Sequence, residues 1–384
     1  MGSLCSFKKN IIKSNFIPVN EPLLNGNEKK YLEECIDTGW ISSEGPFVKR
    51  FEEDFAARMG RKYGIAVTNG TSAIDAAVDA LGIGPGDEVI LPTFTIISCI
   101  LQIRRSGATP VLVDSDPLTW NMDVTQIEAK ISSKTKAIMV VHIYGLPVDM
   151  DPVLELCKKY KLKLIEDSAE LIGQTYKDKP CGSFGDISTV SFYPNKHITT
   201  GEGGMILTDD ELLAKNCRES RNLCFIPNKR FVHEKFGWNF RMTNLQAALG
   251  VAQLERLDEF LEKKRWIGKK YNELLADISG IQLPLTKTNY AKNIYWVYGV
   301  ILDTTLGLSA EEVIVNLNKK GIGCRPFFYP MHQQPILRKQ GFFKTESYPV
   351  AERLCRYGFY LPSGLALTEE QIVRVSSTLR SIIQ

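Results

Sequence analysis

The chain has 384 residues, of which 44% are hydrophobic and 24% charged, an ordinary composition for a globular protein. This length favours one large and one smaller domain over a single small core. The formal net charge of +3 is small and no basic stripe stands out, so we expect no nucleic-acid partner. Nine scattered cysteines without a CxxC pair and four isolated histidines argue against a disulfide framework and a metal site. They favour a reducing, cytoplasmic compartment.

Residues 1–15 are predicted to form a flexible leader. Its first letters, MGSLCS, match the Met-Gly-x-x-x-Ser pattern for N-myristoylation, and Cys5 is placed for a second acyl chain. We favour an unmodified disordered leader over a lipidated one. The leader lacks the long apolar segment of a secretion signal, and no stretch of the chain reaches the roughly eighteen apolar residues of a membrane span. We therefore expect no membrane contact.

From residue 28 onward, helical and strand patterns alternate. EKKYLEECIDT (28–38) and FVKRFEEDFAARMG (47–60) carry apolar residues three and four apart, which predicts helices. Short runs rich in Val and Ile are GIAVT (64–68), DEVIL (87–91), PVLVD (110–114), AIMVVHIYG (137–145), LKLIED (162–167) and STVSFY (188–193). Helical patterns at 71–82 and 151–160 separate the early runs. The order predicts an α/β fold with a parallel sheet covered on both faces.

The last third of the chain has a different pattern. A long helical stretch from Asn244 to Leu274 is followed by the run YWVYGVIL, a helix near 310–320 and a closing helix near 369–383. These elements predict a smaller α+β domain. We place the large domain at residues 16–265 and the small C-terminal domain at 266–384.

Three groups of residues follow predicted strands, where open α/β sheets bind their ligands. The first is Asn69-Gly70-Thr71-Ser72, between a strand and a helix. Free backbone N–H groups and hydroxyls at a helix N-terminus form an anion site. The same letters also suit a simple turn and helix cap. The spacing matches neither a dinucleotide fingerprint nor a P-loop, which favours a cofactor phosphate.

The other two groups add a carboxylate and an amine. Asp167 ends the run LKLIED, where it either caps the next segment or pairs with a protonated ring nitrogen. Lys196 lies in SFYPNKHITTGEGG, where it is either a solvated turn lysine or forms a Schiff base with an aldehyde. Phosphate, pyridinium nitrogen and aldehyde are the three groups of pyridoxal 5′-phosphate (PLP) that a protein can bind. The anion site, Asp167 and Lys196 supply one partner for each.

With these residues in place, the chain resembles the sugar aminotransferases of the DegT/StrS group from about residue 16 onward. The stretches that carry the resemblance are GWISSEGPFVKRFE (39–52), AVTNGTSA (66–73), GDEVILP (86–92), GATPVLVD (107–114), VHIYG (141–145), IEDSAE (165–170), NKHITTGEGGMI (195–206), WNFRMTNLQAALGVAQLE (238–255) and RPFFYPMH (325–332). So many ordered matches are specific for the family and less specific for the substrate.

The resemblance implies a fold-type I, aspartate-aminotransferase-like enzyme with a mixed, mostly parallel sheet. It assigns the covalent cofactor link to Lys196 and the pyridinium partner to Asp167. The implied cofactor contacts are Gly70, Thr71, Ser72 and Ser191 at the phosphate, Glu170 near the phenolic oxygen, and Asn239 and Arg241 from the second subunit of a homodimer. Relatives stack an aromatic ring on the cofactor where this chain has Ile96, with Phe94 two residues earlier.

The implied reaction moves an amino group from L-glutamate to a nucleotide-linked 4-keto-6-deoxy sugar. The likeness is greatest to enzymes that aminate C4 of GDP-4-keto-6-deoxy-D-mannose, giving the GDP-perosamine of lipopolysaccharide O-antigen biosynthesis. A dTDP- or UDP-linked 4-keto-6-deoxyglucose is the competing substrate. Trp40, Ser42, Tyr329 and His332 would contact the substrate by the same likeness, although core packing is the alternative for Trp40 and for His332.

Three other functions compete with amino transfer. Sugar dehydratases of the same family replace the lysine with histidine, and His197 follows Lys196 directly. A PLP-binding regulator without turnover is the second. The third, from another class, is a non-catalytic nucleotide-binding module that uses only the Asn-Gly-Thr-Ser turn.

Overall fold

The computed structural model describes residues 15–226, 229 and 231–384. The MGSLCS motif and its lipidation hypothesis lie outside the described residues. Among the residues described, no helix is both long and apolar enough to cross a bilayer.

The helices and strands occur in the following order. The helices are α1 (Glu28–Asp37), α2 (Pro46–Arg58), α3 (Gly70–Ala80), α4 (Ile97–Arg105), α5 (Met150–Tyr160), α6 (Glu211–Ser220), α7 (Asn244–Leu254), α8 (Leu257–Leu275), α9 (Ala310–Lys319), α10 (Pro335–Lys339), α11 (Pro349–Tyr357) and α12 (Glu369–Ile383). The strands are β1 (Tyr63–Val67), β2 (Glu88–Pro92), β3 (Thr109–Val113), β4 (Thr135–Val141), β5 (Lys163–Asp167), β6 (Thr175–Tyr176), β7 (Lys179–Pro180), β8 (Ile187–Ser191), β9 (Gly204–Thr208), β10 (Ile281–Gln282), β11 (Tyr298–Leu302), β12 (Arg325–Pro326) and β13 (Gly358–Leu361). All six predicted strand runs overlap observed strands.

The large sheet has seven strands in the order β1-β9-β8-β5-β4-β2-β3. Only β9 is antiparallel to its neighbours, β1 and β8, so the predicted mixed, mostly parallel sheet flanked by helices is confirmed. Alternate residues of β4 enter two different apolar cores: Ala137, Met139 and Val141 pack on one face, and Ile138 and Val140 on the other. Burial on both faces is why the strands read as continuous apolar runs.

The small sheet is antiparallel, in the order β10-β11-β13-β12, and has a third apolar core. The N-terminal segment contributes to this core, because the Ile17 N–H donates to the Gly321 carbonyl and the Ile17 carbonyl accepts from Gly323, both at 2.8 Å. Helix α8 runs without a break across the boundary proposed between residues 265 and 266. The division into a large and a small domain stays a prediction.

The predicted helical stretch from Asn244 to Leu274 is two helices, α7 and α8, and α8 buries a lysine. Lys264 is 1% exposed, and its Nζ donates to the carbonyls of Trp296 (2.9 Å) and Ser363 (2.6 Å). Burial away from any carboxylate lowers the pKa of Lys264 from 10.5 to about 7. The amine therefore ties α8 to two loops of the C-terminal region as a hydrogen-bond donor that loses its charge as the pH rises through about 7.

Replacing Lys264 by methionine is expected to flatten the pH dependence of stability. Between pH 7 and the pKa of the unfolded lysine, the unfolded chain holds a proton that the folded chain lacks, so wild-type stability rises with pH in this window. The difference in unfolding free energy between wild type and Lys264→Met should change by about 2 kcal/mol between pH 7 and pH 9. Urea unfolding at both pH values measures it. Lys269→Met, at an exposed position of α8, is the control; parallel profiles for wild type and Lys264→Met would contradict the expectation.

Candidate active site

The sheet gathers the predicted site residues at one edge. The register pairs Asp167 of β5 with Thr189 of β8, and Gly204 of β9 lies between Ser191 and Val67. A Cβ on Gly204 would lie 2.4 Å from the Asn69 carbonyl oxygen, so only glycine allows this approach. A cavity of about 470 Å³ opens at this edge. The predicted residues that line it are Gly70, Thr71, Ile96, Asp167, Glu170, Ser191 and Lys196.

The start of α3 forms a cradle for an anion. The Asn69 side chain accepts hydrogen bonds from the N–H (2.8 Å) and the hydroxyl (3.0 Å) of Ser72 and so caps the helix. The N–H groups of Gly70 and Thr71 have no intrahelical acceptor because they open the helix. A Cβ on Gly70 would lie 2.8 Å from the Ser191 Cβ, so glycine brings the backbone against this serine. The cradle fits a phosphate group.

Ser72, which the resemblance assigns to the phosphate, lies beside the helix cap. Its hydroxyl contacts Asn69 and Thr68, and it does not line the cavity. The residue stabilises the turn that presents the free N–H groups. Of the residues predicted at the phosphate, Gly70, Thr71 and Ser191 line the cavity.

Asp167 supplies a buried carboxylate at the cavity wall. Its Oδ1 accepts from the Ala169 N–H at 3.0 Å, and its Oδ2 accepts from the Cys99 Sγ at 3.4 Å. Burial raises the pKa of Asp167, whereas the Ala169 N–H and the charge of Lys196 oppose that rise. A carboxylate with so few protein partners fits a protonated ring nitrogen as its counter-ion.

The adjacent Glu166 points away from this cavity, because neighbouring residues of a strand face opposite sides of the sheet. Its carboxylate accepts from the N–H groups of Phe184 (2.8 Å) and Gly185 (3.1 Å) and contacts His142 Nε2 at 3.1 Å. Burial opposes ionisation, but these hydrogen bonds and His142 leave the pKa of Glu166 below its usual range. Of the two adjacent acids, Glu166 is therefore structural and Asp167 faces the cavity.

Lys196 is on the loop that joins β8 to β9. Its Nζ lies 3.8 Å from the centroid of the Trp296 ring, and the Trp296 indole N–H donates to the Asn195 carbonyl at 2.7 Å. Burial lowers the pKa of Lys196, although the negative charges of Glu170 and Asp167 oppose this. A lysine of lowered pKa is suited to act as a nucleophile and a base.

His197, the candidate of the dehydratase hypothesis, has a fully buried side chain that does not line the cavity. Burial lowers the pKa of His197 well below its usual range. Of the two adjacent residues, only Lys196 faces the cavity. This arrangement argues against the dehydratase hypothesis, in which a histidine takes the position of the lysine.

Two further polar groups complete the cavity. The Glu170 carboxylate accepts from the Tyr144 N–H at 2.9 Å, and burial raises the pKa of Glu170. Thr189, which the sequence analysis did not single out, lines the cavity, and its buried hydroxyl has no hydrogen-bond partner among the residues that the structure describes. A buried hydroxyl without a partner is unusual and indicates a bound polar group. With the anion cradle, Asp167 and Lys196, this donor set fits PLP.

Aromatic side chains that the sequence analysis did not name line the same cavity. Phe94 is fully buried in an aromatic cluster and does not reach the cavity, whereas Ile96 lines it and is 47% exposed. Trp296, Phe328 and Tyr360 also line it. They come from the C-terminal third of the chain, so no local pattern connects them with the three strand-end groups.

The remaining predicted residues lie outside the cavity. Trp40 is 49% exposed, and the carbonyls of Trp40 and Ser42 accept from the side chain and the backbone of Asn244, each at 2.7 Å. Tyr329 is 48% exposed. Asn239 accepts a hydrogen bond from Arg241 Nε at 2.9 Å, near the outer edge of β1. None of these residues lines the cavity of its own chain.

His332 differs from these residues because it is fully buried. Its Nδ1 lies 2.8 Å from the Thr93 hydroxyl and its Nε2 lies 3.0 Å from the Glu352 carboxylate. Both ring nitrogens are therefore engaged within the protein, and the ring does not line the cavity. These contacts fit the alternative in which His332 packs in the protein core, and they leave no ring nitrogen to bind a substrate.

Comparisons with known proteins match this chain to one family over nearly its whole length. Residues 22–380 match the DegT/DnrJ/EryC1/StrS aminotransferase family. The GDP-perosamine synthase of Caulobacter vibrioides is 45% identical over 96% of this chain and 98% of its own length. That of Escherichia coli O157:H7 is 43% identical over 95% of this chain and 98% of its own. The PLP form of the putative sugar aminotransferase Spr1654 from Streptococcus pneumoniae superimposes with a TM-score of 0.89 at 26% identity, over 96% of this chain and 98% of that one.

The family match covers nearly the whole chain, and the cavity has a suitable side chain for each binding group of PLP. Both observations lead to one conclusion. The protein is an enzyme, its cofactor is PLP, and the chain belongs to the DegT/DnrJ/EryC1/StrS aminotransferase family.

Proposed function

We propose that the enzyme transfers the amino group of L-glutamate to C4 of GDP-4-keto-6-deoxy-D-mannose, giving GDP-perosamine. The observation that carries this proposal is the 45% identity, over nearly the full length of both chains, to the GDP-perosamine synthase of Caulobacter vibrioides. The cavity supports the reaction class, because Lys196, Asp167 and the α3 cradle all line it.

Each polar group of the cavity has a role in this proposal. The N–H groups of Gly70 and Thr71 and the hydroxyls of Thr71 and Ser191 would hold the cofactor phosphate. Asp167 would keep a proton on the ring nitrogen, and Glu170 would lie near the phenolic oxygen. When bound, PLP supplies the electron sink that stabilises negative charge at the carbon losing a proton.

Lys196 would carry both the covalent link to the cofactor and the proton transfer. Burial lowers the pKa of this lysine, so a larger share of the amine is neutral near pH 7 than for a free lysine. The neutral amine can take a proton from the α-carbon of the amino donor. In the second half of the reaction, the same side chain can donate a proton to the sugar carbon that receives the amino group. The Trp296 ring lies against this amine, 3.8 Å from Nζ to the ring centroid.

We also propose a homodimer in which Asn239 and Arg241 complete the cavity of the second subunit. Support comes from their position, because they are paired with each other and lie outside the cavity of their own chain. Trp40, Ser42 and Tyr329 are proposed as substrate contacts in the same assembly. All eight described cysteines are free thiols, which supports a reducing, cytoplasmic location.

The substrate assignment is tested with a panel of nucleotide sugars. We expect turnover of GDP-4-keto-6-deoxy-D-mannose with glutamate, and at least about tenfold lower kcat/KM with dTDP- and UDP-4-keto-6-deoxyglucose. Product analysis by mass spectrometry identifies the amino sugar. Preference for a dTDP- or UDP-linked substrate would refute the proposed GDP-linked substrate but would still be consistent with amino transfer. Nucleotide binding without any glutamate-dependent spectral change would instead favour the non-catalytic module.

A further inference from the structure

A second, smaller cavity opens beside the cofactor cavity. It has a volume of about 220 Å³ and shares the lining residues Tyr193, Asn195 and Tyr360 with the larger one. A molecule whose reacting end lies near Lys196 can therefore extend into the side cavity. The N-terminal segment forms another wall, where the Asn20 side chain donates to the Pro194 carbonyl at 2.9 Å.

The side cavity contains an arginine that no carboxylate neutralises. Arg325 is on the edge strand β12, directly opposite Tyr360 of β13, so the two side chains are cross-strand neighbours. Its Nη1 donates to the carbonyl of Cys324 at 3.2 Å, and it forms no ion pair with any described residue. An arginine guanidinium offers five N–H donors in a planar fork, most of which remain available here.

The charges of the two cavities differ in sign. Among the described residues that line the side cavity, Arg325 is the only charged side chain. The cofactor cavity has three acidic side chains, Asp167, Glu170 and Glu202, against the one cation of Lys196. An anionic group of a substrate is therefore attracted to Arg325 in the side cavity.

The junction between the cavities has an unused polar atom. Asn195 Oδ1 is buried and has no hydrogen-bond partner among the described residues, although Asn195 lines both cavities. Leaving a buried acceptor unpaired is costly, and a hydroxyl or ammonium group of a ligand would remove that cost. The unpaired acceptor is thus a second polar feature of the wall that both cavities share.

We propose that the side cavity is an anion subsite, in which Arg325 binds a carboxylate or phosphate group of the substrate while the reacting atoms lie near Lys196. This inference rests on the proposed amino transfer. The anion has two sources in that reaction, the carboxylates of the amino donor and the diphosphate of the nucleotide sugar. The recognition is common to both, because a carboxylate and a phosphate each offer two oxygen atoms that the planar guanidinium can bind through two hydrogen bonds.

Binding of two unreactive probes to the holoenzyme separates the sources. Glutarate carries the carboxylates without an amino group, and GDP carries the diphosphate without a sugar. Their dissociation constants are measured by calorimetry for wild type and Arg325→Gln, and we expect at least one to weaken by about tenfold or more in the variant. Neither probe is turned over, so failure of the nucleotide-sugar panel leaves this test intact.

Each outcome decides the proposal. Loss of glutarate binding alone assigns the subsite to the donor carboxylate, loss of GDP binding alone assigns it to the diphosphate, and loss of both indicates that the two substrates use it in turn. Unchanged constants for both probes would overturn the subsite. So would a wild-type holoenzyme that binds neither probe.

Two further variants separate charge from packing. Arg325→Lys retains the positive charge and should recover part of the lost affinity, which a purely structural role would not explain. Arg356→Gln removes an exposed arginine of the nearby α11 that lines neither cavity, and it should bind both probes as wild type does. Circular dichroism checks that each variant is folded.

Discussion

Lys196→Ala is expected to lower kcat for amino transfer by at least about 10³-fold. The substitution removes both the amine that links to the cofactor aldehyde and the base that moves the proton. No other lysine lines the cavity among the described residues, so no nearby amine can replace it. Rates are measured with glutamate and the keto sugar, and the modified residue is identified by borohydride reduction followed by peptide mass spectrometry.

The adduct distinguishes this interpretation from its alternatives. Wild type should give one reduced adduct, at Lys196, and the alanine variant none. Lys269→Ala, at an exposed site on α8, should keep both the rate and the adduct. An adduct at a different lysine, or activity in the variant within about tenfold of wild type, would contradict the role of Lys196.

Asp167→Asn is expected to lower kcat by about 10²- to 10³-fold, because the loss of charge removes stabilisation of a protonated ring nitrogen. The amide nearly preserves the shape of the carboxylate, so the fold should survive. Its neutral side chain cannot hold the proton that makes the ring an electron sink. Single-turnover measurements with glutamate report this step directly, and cofactor release by dialysis reports the lost binding.

A second substitution tests whether the negative charge is what matters. Asp167→Glu retains the charge at a longer reach and should recover part of the activity lost in the asparagine variant. Asp151→Asn, which removes an exposed carboxylate paired with Lys177, should leave the rate unchanged. If Asp167→Asn turned over glutamate within about threefold of wild type, the carboxylate would not be the ring-nitrogen partner.

The residues at the strand ends were predictable because each belongs to a local pattern, an apolar run that ends in polar residues or glycine. Gly70, Asp167 and Lys196 each follow an apolar run, and an open α/β sheet brings the carboxyl ends of its strands to one edge whatever their separation in the chain. The same local pattern does not indicate where each side chain points. Ser72 and His332 both belong to motifs of the family, yet the Ser72 hydroxyl donates to the capping side chain of Asn69 and His332 is buried between Thr93 and Glu352.

Lys264 shows the same limit within a helix. It lies in the run LEKKRWIGKK, whose lysines suggest an exposed polar face. Its neighbour Lys263 contacts the Trp266 ring, whereas Lys264 enters the interior and donates to two carbonyls. Adjacent helical residues point about 100° apart, so only the packing of α8 against the loops at Trp296 and Ser363 determines which lysine is buried.

The sequence alone therefore determined the fold class, the cofactor and the residues at the strand ends, because apolar periodicity and the turn after each strand are local properties of the chain. Tertiary structure alone determined the walls of the site. Trp296 and Tyr360 come from the C-terminal sheet region and line the cavity of Lys196, and Arg325 lines the adjacent side cavity, only when that region packs against the large sheet. Such contacts join residues a hundred or more positions apart, and the sequence around either residue specifies neither the distance nor the direction of the other.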